Sequence, residues 1–131
     1  MSAGQATLRV QTVLFRSAPG DVARFAGSVA AACAHARGTG AISAAELAIG
    51  DSSEAPLAVP ADELVGHGAS APQPFSRVDY LHFGENLGSA GGHNRLFADA
   101  ESDLVLVTNP DTYASPRLVT ELVRGLDDPS V

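Results

Sequence analysis

The segment from His82 to Pro116 constrains the fold of this chain most, because it joins a glycine-rich turn, a helical pattern, an apolar run and an acidic loop. The apolar run, Leu104–Val107, is uncharged and has the length of a strand that is buried on both faces. Asn109, Pro110 and Asp111 follow closely, so that a carboxylate would stand at the carboxyl end of a central strand. Open α/β sheets bind their ligands at that edge. The segment therefore predicts an α/β domain with a ligand site directly after this strand.

The remainder of the chain repeats the alternation of strand and helix. Apolar spacing, turn residues and helix-capping residues mark the elements. In chain order they are a strand over Leu8–Phe15, a helix capped by Asp21 and ended by Gly38 and Gly40, a strand over Glu46–Ile49, an irregular excursion over 52–76 with one helical turn at Asp62–Val65, a strand over Val78–Phe83, a helix ending near Ala100, the strand over Leu104–Val107, and a helix opened by Ser115 and Pro116. Because strand, helix and strand form the right-handed parallel unit, we expect one doubly wound, mostly parallel α/β sheet over residues 1–131.

Helical spacing also predicts which side chains are buried. The predicted buried residues are Val22, Phe25, Ala26, Val29, Ala32, Cys33 and Ala36 in the first helix, Leu96 and Phe97 in the helix ending near Ala100, and Leu118, Leu122 and Leu126 in the last. Cys33 is the single cysteine, which excludes an internal disulfide and a multi-cysteine zinc site. Its alanine neighbours predict a buried, unreactive thiol.

The charge balance narrows the classes of function. The 131 residues carry 15 acidic and 8 basic side chains, a formal charge of −7, and every basic residue other than histidine is arginine. Proteins that coat nucleic-acid phosphates need clustered lysine and arginine, so no nucleic-acid partner is expected. No apolar run approaches the roughly 18 residues of a membrane span, and the first residues lack the pattern of a signal peptide. A cytoplasmic protein without a transmembrane segment is therefore expected.

Two motifs in the central segment carry a family resemblance. Asn86, Gly88, Gly92 and Asn94 form the pattern N-x-G-x-x-x-G-x-N, and Asn109-Pro110-Asp111 follows the next apolar strand. In this order they resemble the family 2 inverting glycosyltransferases of the GT-A fold, in particular rhamnosyltransferase-like members, in which N-P-D is a version of the metal-binding D-x-D motif. The resemblance covers Leu8 to Leu126 and corresponds to the amino-terminal, nucleotide-sugar-binding half of such an enzyme.

The resemblance implies a chemistry for this half. The donor would be a dTDP- or UDP-sugar, and the acceptor a glycan or a lipid-linked glycan at the inner face of the membrane, as in cell wall polysaccharide biosynthesis. Asp111 would hold Mg²⁺ or Mn²⁺, which acts as a Lewis acid on the diphosphate leaving group. One carboxylate can suffice, because Mg²⁺ is commonly held by one or two carboxylates together with phosphates. Asn109 replaces the first Asp of the motif. The acceptor half, with its catalytic base, has no counterpart here, so the base is unassigned.

The same resemblance implies a nucleotide-binding side. Asp51, at the end of the second strand, matches an Asp that binds the base or ribose, usually within D-N-x-S, and Ser53 is taken as the serine of that motif. Phe15, Arg16 and Ser17 close the first strand, where the family often has a Tyr-Asn pair near the base. Phe15 would stack on the base, and Arg16 would meet phosphate or solvent.

Each of these residues also has a purely structural interpretation. Asp51 and Asp111 are typical turn carboxylates, and Asn86 and Asn94 could cap a helix without any ligand. For the whole chain, the alternative to a transferase domain is a non-catalytic nucleotide-binding or interaction module that lacks the catalytic base. The sheet edge that an acceptor half would cover also predicts self-association into a homo-oligomer.

Overall fold

The computed structural model describes residues 6–64, 66, 74–128 and 130 of the chain. Along these residues the elements are β1 (Thr7–Leu14), α1 (Pro19–Gly38), β2 (Ala44–Asp51), α2 (Ala61–Leu64), β3 (Val78–His82), α3 (Gly88–Phe97), β4 (Leu104–Thr108) and α4 (Leu118–Leu126). The strands form one parallel sheet with helices on both faces, which confirms the predicted doubly wound α/β class. Residue 65 and residues 67–73 of the predicted excursion lie outside the described residues.

The order of the strands across the sheet is β3-β2-β1-β4. β1 pairs with β2 until Leu14 lies opposite Asp51, and it pairs with β4 until Thr12 lies opposite Thr108. The chain therefore moves outwards from β1 through β2 to β3, and then returns to the other side of β1 as β4. Such a reversal is a topological switch point, where open α/β sheets bind ligands outside the carboxyl ends of the strands.

The side chains of β1 alternate between the two faces of the sheet, as the pleat requires. Leu8, Val10 and Leu14 belong to the hydrophobic core with α1 and α4. Arg9 and Gln11 point to the opposite face, where both hydrogen-bond residues of α3. One face of the sheet is therefore apolar, whereas the face beneath α3 contains buried polar groups.

The buried side of α1 agrees with its predicted spacing. All seven predicted residues are buried in the core, namely Val22, Phe25, Ala26, Val29, Ala32, Cys33 and Ala36. Burial raises the pKa of the Cys33 thiol to about 12, so little thiolate forms near neutral pH.

The predicted starts of two helices are wrong. α1 begins at Pro19, so Asp21 is an exposed residue of its first turn rather than its cap. Proline suits the first helical position because it has a fixed φ and needs no hydrogen-bond acceptor there. α4 begins at Leu118, and the carbonyl of Ser115 accepts a hydrogen bond from the Leu118 amide at 3.0 Å. Ser115 and Pro116 therefore form a turn before the helix and do not cap it.

The position of β4 corrects the prediction of a central strand buried on both faces. In the described part of the chain β4 lies at an edge of the sheet and pairs with β1 alone. Val107 is 59% exposed, because α3 packs mainly over β1 and β2. An apolar run reports hydrophobicity but carries no information about the number of neighbouring strands, and that number decides burial.

Three residues predicted to be buried are exposed instead: Phe97, Leu122 and Leu126. α4 buries Val119, Thr120 and Val123. Its apolar stripe is wider than the surface that covers it, so Leu122 and Leu126 flank the buried side. They line an apolar groove of about 220 Å³ between β4 and α4. Within the described ranges, no helix combines the length and the apolar character needed to cross a lipid bilayer.

Candidate functional site

A pocket of about 320 Å³ opens at the carboxyl ends of β1 and β2. Four of the predicted nucleotide-binding residues line it, namely Arg16, Ser17, Asp51 and Ser53. The opposite wall is the segment from Glu54 to Ala58, which the sequence analysis did not assign to the site. The gathering of these residues follows from the topology, because the ends of two adjacent parallel strands meet at the same edge of the sheet.

Asp51 is a buried carboxylate that holds the pocket wall in place. Its side chain accepts a hydrogen bond from the Ser53 amide at 2.9 Å and another from the Tyr80 hydroxyl at 2.5 Å. The Tyr80 oxygen in turn accepts a hydrogen bond from the Leu57 amide at 3.0 Å. Burial and the bond to Asp51 raise the pKa of Tyr80 to about 12, so this phenol remains a donor at neutral pH. Asp51 thus joins the end of β2 to β3 and to the outer wall.

Arg16 has an unusual backbone conformation at the mouth of the pocket. Its φ is +53°, in the left-handed region that side-chain-bearing residues seldom adopt. The Arg16 amide donates a hydrogen bond to the Ser53 hydroxyl at 2.7 Å, which fixes this conformation. Ser53 is itself anchored, because its carbonyl lies 2.8 Å from the His82 ring nitrogen Nε2.

The guanidinium of Arg16 is held by two neighbours. It forms an ion pair with the Glu54 carboxylate, in which Nε lies 3.0 Å from Oε1, and it lies 4.9 Å from the centre of the Phe15 ring. The hydrogen bond between the partners raises the pKa of Arg16 and lowers that of Glu54. Both side chains are exposed, and Phe15 is 44% exposed, so an incoming molecule can reach all three groups.

The glycine-rich turn lies beside this pocket and does not line it. The Asn86 side chain accepts a hydrogen bond from the Gly88 amide at 2.9 Å, and Gly88 has a φ of +71°, which explains a glycine there. The Leu87 amide donates to the Ser52 hydroxyl at 3.2 Å, which ties the turn to the end of β2. Asn94 is the seventh residue of α3, about 9 Å along the helix from its start, so it does not cap the helix, which excludes the structural alternative given for it.

Gly92 has a packing function that the sequence pattern did not reveal. A Cβ atom at this position would lie 2.8 Å from both methyl groups of Val13 and 3.2 Å from the Phe83 ring. The glycine therefore permits α3 to pack closely on β1. The structure explains this residue without any ligand.

Asn109 and Asp111 lie on an exposed turn after β4, on the other side of the switch point from Asp51. The Asn109 carbonyl accepts a hydrogen bond from the Thr112 amide at 3.1 Å, which closes the turn. No group of three or more metal-ligating side chains occurs among the described residues. A single exposed carboxylate fits Mg²⁺ or Mn²⁺ only if a phosphate-bearing ligand and water supply the other oxygens.

His93 was not assigned any role by sequence, yet it connects α3 to both strands at the switch point. Gln11 Nε2 lies 3.1 Å from His93 Nδ1, and Gln11 Oε1 lies 3.3 Å from Arg9 Nε. Because Arg9 can only donate, Gln11 must present its amide nitrogen to His93, and Nδ1 therefore accepts. Burial lowers the pKa of His93, although a hydrogen bond to the backbone of Thr108 partly offsets this effect. His93 is thus linked to both strands through Gln11, whose carbonyl accepts a hydrogen bond from the Thr108 hydroxyl at 2.8 Å.

Of the residues that were missed, Glu54 could have been found from the sequence and Tyr80 could not. Glu54 follows Ser53 directly, and a carboxylate and Arg16 at the ends of adjacent strands predict an ion pair. Tyr80 was predicted only as a strand former, and its bond to Asp51 depends on the register of β3 against β2. No family model, curated protein or solved structure matches the chain, so the proposal below depends on the site itself.

Proposed function

We propose that this chain is the donor-binding domain of an inverting, metal-assisted glycosyltransferase. The pocket at the ends of β1 and β2 receives the nucleoside of a dTDP- or UDP-sugar, and the diphosphate extends across the switch point towards Asp111. The full reaction transfers the sugar to a glycan or lipid-linked acceptor, in the cytoplasm or at the inner face of the membrane. The catalytic base of that reaction is unassigned.

One observation carries the proposal. Asp51 and Ser53 were selected from sequence for their likeness to the family's D-N-x-S motif, and Arg16 and Ser17 for their place at the end of the first strand. All four line one pocket at the carboxyl edge of a parallel sheet. Doubly wound sheets bind their ligands at this edge, which supports a ligand-binding role for the pocket. The pocket offers the hydroxyl groups of Ser17 and Ser53 for hydrogen bonding. Phe15, which was predicted to stack on the base, does not line the pocket, and its exposed ring packs against the Arg16 guanidinium at the pocket mouth.

The metal part of the proposal concerns Asp111. Its carboxylate is exposed, and within the described residues it has no hydrogen bond or ion pair, so it is available to an incoming cation. Asn109 lies two residues earlier and can contact the cation through water or contact the donor. When bound, Mg²⁺ or Mn²⁺ would neutralise charge on the diphosphate leaving group. The chain's own contribution is to hold Asp111 on a turn that the hydrogen bond from the Thr112 amide to the Asn109 carbonyl closes.

A second candidate is a non-catalytic nucleotide-binding or interaction module, and the environment of Asp51 favours it. This side chain is only 1% exposed, and both of its oxygens accept hydrogen bonds from the chain. A carboxylate in this position can serve the fold alone. The apolar groove between β4 and α4 also suits an interaction module.

Calorimetric titration of the purified chain with UDP and dTDP tests the proposal, each with Mn²⁺ and with EDTA. We expect binding that requires the metal and is lost in Asp111→Ala. Asp127→Ala is the matched control, because it removes an exposed carboxylate at the far end of α4. Absence of nucleotide binding by the folded wild-type chain would refute the donor-binding function and leave the interaction module.

A further inference from the structure

The charges that line the pocket disfavour the binding of an anionic ligand. Its described lining includes two acidic residues, Asp51 and Glu54, and a single arginine or lysine, Arg16. The chain as a whole carries a formal charge of −7. A nucleoside diphosphate would therefore enter a site whose one guanidinium is already paired with a carboxylate of the same chain.

We propose that Glu54 masks the anion-binding group of the empty pocket, and that an anionic ligand binds by displacing Glu54 from Arg16. The inference rests on the proposed function for the identity of the ligand, a nucleoside diphosphate, but its chemistry requires only a phosphate or diphosphate group. Glu54 is then the residue that sets the affinity of the pocket for anions.

The backbone at Arg16 is the first argument. A residue with a side chain is held at a φ of +53° by the hydrogen bond from its amide to the buried Ser53 hydroxyl. Backbone conformations of this kind persist where surrounding structure enforces them, and they concentrate at ligand sites. This one directs the guanidinium to the mouth of the pocket, where the Phe15 ring supports one side of it. Phe15 and Ser53 therefore keep the guanidinium in place when its partner changes.

The nature of the Arg16–Glu54 pair is the second argument. The side chains are 68% and 64% exposed, so the pair can be broken without opening the core. A guanidinium binds phosphate and carboxylate with the same two-pronged geometry, so a phosphate can take the place that Glu54 holds. Pro19, the first residue of the 20-residue helix α1, also lines the pocket, and the positive end of a helix dipole favours an anion there.

The test is calorimetric titration with inorganic pyrophosphate in EDTA at low salt, using wild type, Glu54→Gln and Arg16→Gln. We expect Glu54→Gln to bind pyrophosphate about two- to fivefold more tightly than wild type, which is the range that loss of an exposed ion pair allows. Arg16→Gln should abolish binding, and Glu54→Gln should gain little in that background. The matched control is Glu121→Gln, which breaks the similarly exposed Arg117–Glu121 pair on α4 and should leave affinity unchanged.

The outcomes separate this inference from the proposed function. If Glu54→Gln binds pyrophosphate no better than wild type, or if no variant binds it, the masking role is overturned. Metal-dependent UDP binding that is lost in Asp111→Ala would still support the donor-binding function in that case. Conversely, pyrophosphate binding that Glu54→Gln tightens, without any binding of UDP or dTDP, would retain the masked anion site and refute the nucleotide-sugar ligand.

Discussion

Replacement of Gly92 by alanine separates the two explanations of the glycine-rich turn. If the glycine serves helix packing, a Cβ at this position must displace Val13, whose two methyl carbons would each lie 2.8 Å away. If it serves only the approach of a ligand, alanine should be tolerated by the empty protein and should even favour the helix. The two explanations therefore predict opposite changes in the free energy of unfolding.

The expected magnitude combines two opposing effects. Alanine in a helix interior is favoured over glycine by about 1 kcal/mol. Insertion of a methyl group into a packed contact typically destabilises by about 1–3 kcal/mol. Gly92→Ala should thus lower the free energy of unfolding by about 0–2 kcal/mol. Gly27→Ala is the matched control, because a Cβ there would meet nothing within 4 Å, and it should stabilise by about 1 kcal/mol.

The assay is thermal and urea unfolding followed by circular dichroism. For a domain of this size, 1 kcal/mol corresponds to about 4 °C in the Tm, so the two variants should differ measurably. Val13→Ala provides a second background in which the contact is absent. There Gly92→Ala should be less destabilising, and the double-mutant cycle should give a coupling of about 1 kcal/mol.

One result would refute the packing argument. If Gly92→Ala stabilised the chain as much as Gly27→Ala, and showed no coupling to Val13→Ala, α3 would not depend on a glycine for its approach to β1. The ligand explanation of the N-x-G-x-x-x-G-x-N pattern would then become the stronger one.

Two further predictions concern other parts of the molecule. Burial lowers the pKa of His93 from its ordinary value of 6.5, so the unfolded chain binds this proton at a higher pH than the folded chain. The stability that depends on the neutral ring should therefore be fully present above about pH 6.5 and be lost as the pH falls towards the folded-state pKa. His93→Gln should flatten this pH dependence in urea unfolding between about pH 7.5 and 5.5, and an unchanged slope would contradict the role of the ring. Self-association is expected through β4, whose outer edge has no partner strand among the described residues and whose five residues carry no charge. Val107→Lys should reduce this association in sedimentation velocity at high concentration, and a wild-type chain that is monomeric throughout would exclude the edge as an interface.

The fold was predictable where a long pattern and a topological rule agreed. The seven buried residues of α1 could be predicted from their spacing alone, because the apolar positions recur at helical intervals over 20 residues. The predicted starts of two helices were wrong because a single capping residue is a weak signal. α1 begins at Pro19, which is suited to the first helical position, and not after Asp21. The exposure of Leu122 and Leu126 depends on what covers α4, and sequence spacing contains no information about that.

The candidate site was predictable to the extent that it is built from strand ends. Asp51 ends β2 and Arg16 closely follows β1, its parallel neighbour, so their proximity could be inferred from the order of elements. The Asp51 partner Tyr80 could not be inferred in this way, because its position depends on the register of β3 against β2. The role of Gly92 could not be predicted from the sequence. A glycine needed for close helix packing and a glycine needed for a ligand give the same sequence pattern.

The pairing of β1 with β4 also has a consequence for the order in which the molecule assembles during synthesis. β1 meets β2 across 37 positions of sequence, as in the pairing of Thr7 with Ala44, whereas Leu8 meets Leu104 across 96. Closing the longer loop costs only about 0.8 kcal/mol more in entropy than closing the shorter one. The main difference between the two pairings is therefore that β4 leaves the ribosome later than β2. The residues that line the pocket at the ends of β1 and β2 are therefore all synthesised before β4. The turn with Asp111 follows β4 in the chain, so it can take its place beside the pocket only after β4 has paired with β1.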